Sequence, residues 1–125
     1  MTEEEKKANL NEDQTIYMDC LEKLRVGTFH KGKFKAFNRS FKGYYVDCFG
    51  FDVLCPLNKK EFYNWAFGHE LTEERKQEIK RFEKFSIDEK KSFMIELEKS
   101  LVGIELTVLI TVNKELKVGA INMEN

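Results

Sequence analysis

Residues 27–37 alternate basic and apolar side chains with the two-residue period of a β-strand. In such a strand Lys31, Lys33 and Lys35 share one face, and the apolar residues between them share the other. Residues 38–46 follow directly and add two basic residues and three aromatic rings. A cationic sheet face with rings beside it is typical of a surface that binds single-stranded nucleic acid, because it offers charge to phosphates and flat faces to bases.

The distribution of charge along the chain supports the same interpretation better than the net charge does. The net charge of −1 does not by itself favour a nucleic-acid-binding protein. Residues 25–60, however, carry eight basic and two acidic side chains, whereas residues 1–24 carry three basic and seven acidic ones. Local charge decides where a polyanion docks. The alternative is that these lysines only solvate an exposed sheet face.

Length and composition indicate one globular domain. The chain has 125 residues, of which 42% are hydrophobic and 34% charged. No segment is long and apolar enough to cross a membrane, and the N-terminus lacks the apolar core of a signal peptide. We therefore expect a cytoplasmic protein without a membrane partner. The three cysteines are an odd number and are expected to be reduced thiols.

Five segments follow one another along the chain. Residues 1–8 are charged and are expected to form a disordered leader. Residues 9–26 contain an amphipathic helix, and residues 27–58 contain three strands. Residues 59–101 change to helical spacing, and residues 102–122 return to strand-like alternation.

The first three strands have recognisable internal signals. Gly32 is a candidate position for a bulge or sharp bend in the first strand. The second strand spans residues 43–49 and the third spans residues 51–55, with a tight turn between them. Alternation places Cys48 and Cys55 on the inward faces, where we expect buried free thiols.

The segment from 59 to 101 has three signals for the start of a helix. Asn58 and Thr72 are candidate N-caps, and Ser86 with Glu89 has the spacing of a capping box. Together with the strands, this order predicts a mainly β fold with α additions. We expect a five-stranded Greek-key barrel of the oligonucleotide/oligosaccharide-binding (OB) type, with an N-terminal helix and a helical insertion between strands three and four.

Four motifs occur in the order of one known family. The residues on the spacing Gly-x-Val-x-x-Gly-x-Val-x-x-Ile of its first strand are Gly27, Phe29, Gly32, Phe34 and Phe37. A glycine, an aromatic residue and a valine of its second strand match Gly43, Tyr45 and Val46. Residues 53–58 approximate its Gly-Phe-Leu-Pro-Leu-Ser pattern, and residues 102–106 its Val-Gly-Gln-Glu-Leu pattern.

On these motifs the chain resembles the S-one RNA-binding domain, the repeat of the largest small-subunit ribosomal protein. It departs from that family in three ways. Some forty residues separate strands three and four, the N-terminal helix is an addition, and Asn113 stands where the family often has an aspartate. Lys114 or Lys117 can supply the basic residue that follows that aspartate.

The resemblance implies an RNA-binding OB barrel and assigns roles to individual residues. Tyr45 and Phe41 would stack on bases. The residues that would contact RNA through their charge are Lys33, Lys35, Arg39, Lys42 and Lys117. Two alternatives remain open, since Phe41 can instead fold back onto the barrel and Tyr45 can instead pack beneath the added helices.

The implied partner is single-stranded RNA, ribosomal or messenger, in translation or RNA turnover. No cofactor, metal ion or catalytic residue is expected, because no cysteine or histidine pair has the spacing of a metal knuckle and no nucleophile motif is present. The alternative is a protein-interaction module whose surface includes Phe62, Tyr63, Trp65 and Phe67. A small metal-dependent hydrolase or nuclease is the third and least supported hypothesis.

Overall fold

A computed structural model of the protein describes residue 18, residues 22–114 and residues 117–123. The predicted leader over residues 1–8, and most of the predicted helix over residues 9–26, lie outside these residues.

Five strands form a closed barrel in the order β1-β2-β3-β5-β4. Their bounds are β1 Phe29–Phe37, β2 Gly43–Cys48, β3 Phe51–Pro56, β4 Glu105–Lys114 and β5 Lys117–Asn122. Antiparallel pairing of β1 with β4 and parallel pairing of β3 with β5 close the barrel. The predicted five-stranded barrel is therefore confirmed, and its strand order is consistent with an OB-like barrel.

Strand β2 illustrates how alternation divides the barrel into an inside and an outside. Tyr44, Val46 and Cys48 are fully buried, whereas Tyr45 is half-buried and Asp47 is exposed. A tight turn at Phe49 and Gly50, both with positive φ, leads into β3.

The two inward cysteines are as predicted. Cys48 on β2 and Cys55 on β3 are both buried and free of disulfides. Strand alternation, which places every second side chain inside, is sufficient to explain their burial.

The irregularity of β1 lies at a different position from the one the sequence suggested. The register between β1 and β2 shifts between Phe34 and Ala36, and not at Gly32. Gly32 has another purpose, because a Cβ atom there would lie 2.5 Å from Val46 Cγ1 and 2.7 Å from Cys48 Sγ. The glycine therefore permits close approach of β1 and β2.

Three helices follow β3 in the chain: α1 Lys59–Phe67, α2 Glu73–Glu83 and α3 Ile87–Leu101. Asn58, Thr72 and Ser86 accept hydrogen bonds from the first turns, as the sequence indicated. The capping box of Ser86 and Glu89 is complete. In the described part of the chain, no helix has the length and apolar composition needed to span a membrane.

Helix α1 packs directly against the barrel core. The Trp65 ring lies edge-on to Tyr44 at 5.0 Å and to Phe34 at 5.7 Å between ring centroids. Glu61, in the first turn of α1, is only 1% exposed and accepts a hydrogen bond from Tyr44. Helix α3 is joined to the end of β1, where the Phe37 amide donates to Glu98 Oε2 at 2.9 Å.

Candidate nucleic-acid interface

The lysines of β1 lie on the outside of the barrel, but carboxylates accompany two of them. Lys31 Nζ is 3.5 Å from Glu105 Oε1, and Lys35 Nζ is 2.8 Å from Asp52 Oδ1. Lys33 is exposed and forms no ion pair within the described residues. Such surface pairs contribute little stability, yet they reduce the positive potential that the lysines alone would create.

The Lys35–Asp52 contact favours the charged form of Lys35. The hydrogen bond to Asp52, and then the charge of that carboxylate, raise the pKa of Lys35 above its ordinary value. The ammonium group therefore has a preferred partner on the neighbouring part of the sheet. A phosphate that bound Lys35 would have to compete with Asp52.

The loop after β1 holds its basic residues in a defined conformation. Asn38 Oδ1 accepts hydrogen bonds from the backbone amides of Lys42 at 3.1 Å and Gly43 at 3.2 Å. The Lys42 carbonyl in turn accepts a bond from the Leu57 amide at 2.9 Å. Arg39 and Lys42 are exposed on this loop and have no ion pair within the described residues.

Phe41 lies in the same loop but turns toward the barrel. Its φ of 56° is unusual for a bulky residue, and its ring lies edge-on to Phe37 at 6.2 Å. The ring is half-buried against the core. This position corresponds to the alternative in which Phe41 folds back onto the barrel, with part of the ring remaining accessible.

Tyr45 belongs to a row of outward residues that crosses four strands. It pairs with Leu54 on β3, Leu54 pairs with Gly119 on β5, and Gly119 pairs with Val112 on β4. Leu54 is 41% and Val112 is 43% exposed. Because Gly119 has no side chain, the row is lowest at its third member and forms a depression in the sheet surface.

Two connected depressions follow this row, and we call them together the outer groove. The larger lobe has a volume of about 490 Å³ and is lined by Tyr45, Asp52, Leu54, Val112, Lys117, Val118 and Gly119. The smaller lobe has about 380 Å³ and is lined by Asn38, Lys42, Gly43, Leu54, Cys55, Pro56, Thr111, Gly119, Ala120 and Ile121. Leu54 and Gly119 line both lobes. Each volume is within the range of small-ligand sites.

The outer groove combines apolar walls with a basic residue in each lobe. Lys117 lines the larger lobe and Lys42 the smaller one. Both are exposed, and neither has an ion pair within the part of the chain that the structure describes. In this arrangement the bases of a single strand can stack on Tyr45, and Lys42 and Lys117 lie beside the path of its phosphate backbone.

Of the seven residues implicated by sequence, the structure gathers three around the outer groove: Lys42, Tyr45 and Lys117. Lys33 and Lys35 lie on the adjoining outer face, and Arg39 and Phe41 lie in the loop next to the smaller lobe. Sequence reasoning missed Leu54, Val112 and Gly119. Their only sequence signal was an apolar residue at an outward strand position. Leu54, for example, lies between the inward residues Val53 and Cys55.

The aromatic residues of α1 are turned mainly toward the protein. Phe62 is buried, and Trp65 packs on the barrel core. Tyr63 and Phe67 are half-buried beside Phe82, at ring-centroid distances of 6.5 and 6.1 Å. A cavity of about 270 Å³ lies among the helices and is lined by Ala66, Phe67, Glu78, Arg81, Phe82, Phe85 and Phe93.

Within the residues that the structure describes, no group of three or more His, Cys, Asp or Glu side chains is arranged to hold a metal ion. Comparisons with protein-family models, curated proteins and solved structures found no match to this chain.

Proposed function

We propose that the protein is a non-catalytic module that binds single-stranded RNA on the outer groove. The observation that carries the proposal is the half-buried Tyr45 ring beside an apolar depression with Lys42 and Lys117 in its two lobes. Stacking on a ring and contacts to phosphates are the two interactions by which such barrels hold single strands. The strand order and the resemblance to the S-one RNA-binding domain support the same assignment.

The proposed role is cytoplasmic and lies in translation or RNA turnover, with ribosomal or messenger RNA as the partner. Lys42 and Lys117 would contact phosphates beside Tyr45, and Lys33 and Arg39 would contact phosphates beyond the groove. Lys35 would contribute less because it is paired with Asp52, and Phe41 would offer the exposed part of its ring. The implicated surface has only five basic side chains, of which Lys35 is paired with Asp52, so we expect micromolar affinity or weaker and little sequence preference from the phosphate contacts.

An amide-shift titration with a short unstructured RNA tests the proposal and the face together. We expect the largest shifts at the outward residues of β2, β3 and β5, including Tyr45, Leu54 and Gly119. The amides of α2 are the internal control, because this helix lies outside the outer groove. A folded sample without any shift at low salt would refute RNA binding, and shifts confined to the helices would refute the face.

The second candidate function is protein interaction through the helical segment. The observations that favour it are the cavity among the helices and the apolar side chains that remain exposed elsewhere in the helical segment. Leu71 is 83%, Ile87 is 74% and Ile95 is 51% exposed. Association in sedimentation experiments that Ile87→Asp abolishes, without RNA affinity in the same preparation, would select this function over the first.

A further inference from the structure

The larger lobe of the outer groove contains an acidic side chain beside its aromatic ring. Asp52 lies on β3, one outward position along the strand from Leu54, which pairs directly with Tyr45. Diagonal neighbours of this kind on one sheet face are within reach of each other's side chains. A base stacked on Tyr45 would therefore present its edge near the Asp52 carboxylate.

Asp52 is held in place but keeps an acceptor available. Lys35 Nζ donates to Oδ1 at 2.8 Å, and no hydrogen bond to Oδ2 occurs among the described residues. The side chain is 46% exposed, so Oδ2 is accessible to a ligand. An ionised carboxylate only accepts hydrogen bonds, and it therefore selects for a donor on the edge of the base.

We propose that the larger lobe prefers a base with an exocyclic amino group, and specifically that it binds cytosine more tightly than uracil. Cytosine offers the N4 amino group to a carboxylate, whereas uracil presents the O4 carbonyl at the same position. The two rings have nearly the same size and stack similarly, so the carboxylate decides between them. This inference rests on the proposed RNA-binding function of the outer groove and adds a substrate preference to it.

The lysine partner makes this preference compatible with binding of a polyanion. An isolated carboxylate in the groove would repel phosphates, but Lys35 compensates its charge locally. The Lys35–Asp52 pair thus separates two tasks, since the carboxylate reads the base while Lys42 and Lys117 remain available to phosphates.

Anisotropy titrations of the full chain with octacytidylate and octauridylate test the preference. We expect the wild type to bind octacytidylate about fivefold more tightly at the same salt concentration. Asp52→Asn should reduce this ratio to near one, because an amide can both donate and accept. The ratio is a better readout than either affinity, since removing a negative charge strengthens binding of both oligonucleotides alike.

Asp47→Asn is the matched control. Asp47 is the direct cross-strand partner of Asp52 on the outer face but does not line the outer groove, so its substitution should leave the ratio at the wild-type value. Equal affinities in the wild type, or an unchanged ratio in Asp52→Asn, would overturn the inference while RNA binding stands. If the wild type binds neither oligonucleotide, the proposed function fails and the preference with it.

Discussion

The Tyr44 hydroxyl donates a hydrogen bond of 3.0 Å to Glu61 Oε2, and this contact joins the inside of β2 to the first turn of α1. Tyr44 is fully buried and Glu61 is 1% exposed. The same carboxylate oxygen accepts a bond of 2.9 Å from Asn122 Nδ2 on β5. A buried carboxylate requires such donors, and the three residues therefore connect α1 to strands β2 and β5 of the barrel.

Removing the Tyr44 hydroxyl should weaken this connection. Tyr44→Phe is expected to lower the free energy of unfolding by about 1–3 kcal/mol, because it deprives a buried carboxylate of a donor. Tyr63→Phe is the matched control, since the Tyr63 hydroxyl contacts Glu83 at 3.4 Å on the surface and its loss should cost less than about 0.5 kcal/mol. Urea denaturation of both variants measures the difference, and equal effects would contradict the assigned role.

The buried thiol of Cys55 makes the fold sensitive to alkaline pH. Burial, and then the charge of Glu61, raise the pKa of Cys55 from 9.0 to about 12. A group whose pKa is raised by folding stabilises the native state below its unfolded pKa and loses that contribution as pH rises toward the folded value. Burial also raises the pKa of Tyr44, which adds to the loss at still higher pH. Stability should therefore fall above about pH 9.

Denaturation at two pH values measures this effect. The free energy of unfolding should be about 1 kcal/mol lower at about pH 10 than at about pH 8 from Cys55 alone. Cys55→Ala supplies the control, because it removes the thiol and should reduce the difference by that amount, whatever its own cost in stability. If the variant shows the same pH dependence of stability as the wild type, the buried thiol is not its cause.

Substitution by alanine should lower stability at Gly32 but not at Gly119, although both glycines lie in strands. Gly32→Ala would place a Cβ atom 2.7 Å from the Asp47 carbonyl oxygen, a backbone atom that cannot move aside. We therefore expect the free energy of unfolding to fall by about 1–3 kcal/mol. Gly119→Ala would place its Cβ atom 3.6 Å from the nearest atoms, in ordinary contact, and stability should be nearly unchanged. Thermal unfolding of both variants tests the contrast, and a stable Gly32→Ala would contradict the close approach of β1 and β2.

The parts of the fold that local signals encode were predictable from the sequence. Alternation gave the inward face of β2, and the side chains of Asn58, Thr72 and Ser86 gave the helix starts. The capping box depends only on residues three positions apart, so no long-range contact can mask it.

The parts that depend on distant contacts were not predictable in the same way. The Lys35–Asp52 and Lys31–Glu105 pairs join residues that are far apart in the chain, and they convert an apparently cationic face into a largely compensated one. Gly119 became part of a groove floor only because β5 pairs with β3 in parallel. Burial of Glu61 has a similar origin, since its hydrogen-bond partners Tyr44 and Asn122 are distant in the chain.

The salt dependence of RNA binding should distinguish Lys117, which has no ion pair within the described residues, from Lys35, which is paired with Asp52. Lys117→Ala is expected to weaken binding and to flatten its salt dependence between about 50 and 200 mM, because it removes a phosphate contact. Lys35→Ala should change the salt slope less, since Lys35 is already paired with Asp52. Slopes from anisotropy at several salt concentrations provide the comparison. An equal or larger change for Lys35→Ala would place the phosphate path on the β1 face instead of the outer groove.

The most direct test of the central claim compares the adjacent tyrosines Tyr45 and Tyr44, which lie on opposite faces of β2. Tyr45→Ala should weaken binding of single-stranded RNA by about 1–3 kcal/mol while the melting temperature changes little, because the ring stands on the outer face. Tyr44→Ala should instead cost about 3–5 kcal/mol of stability, as truncation of a buried ring does. Anisotropy of Tyr45→Ala on a sample shown to be folded is therefore the decisive measurement. Affinity reduced at least fivefold is the predicted result, and affinity equal to that of the wild type would contradict the outer groove as the RNA-binding surface.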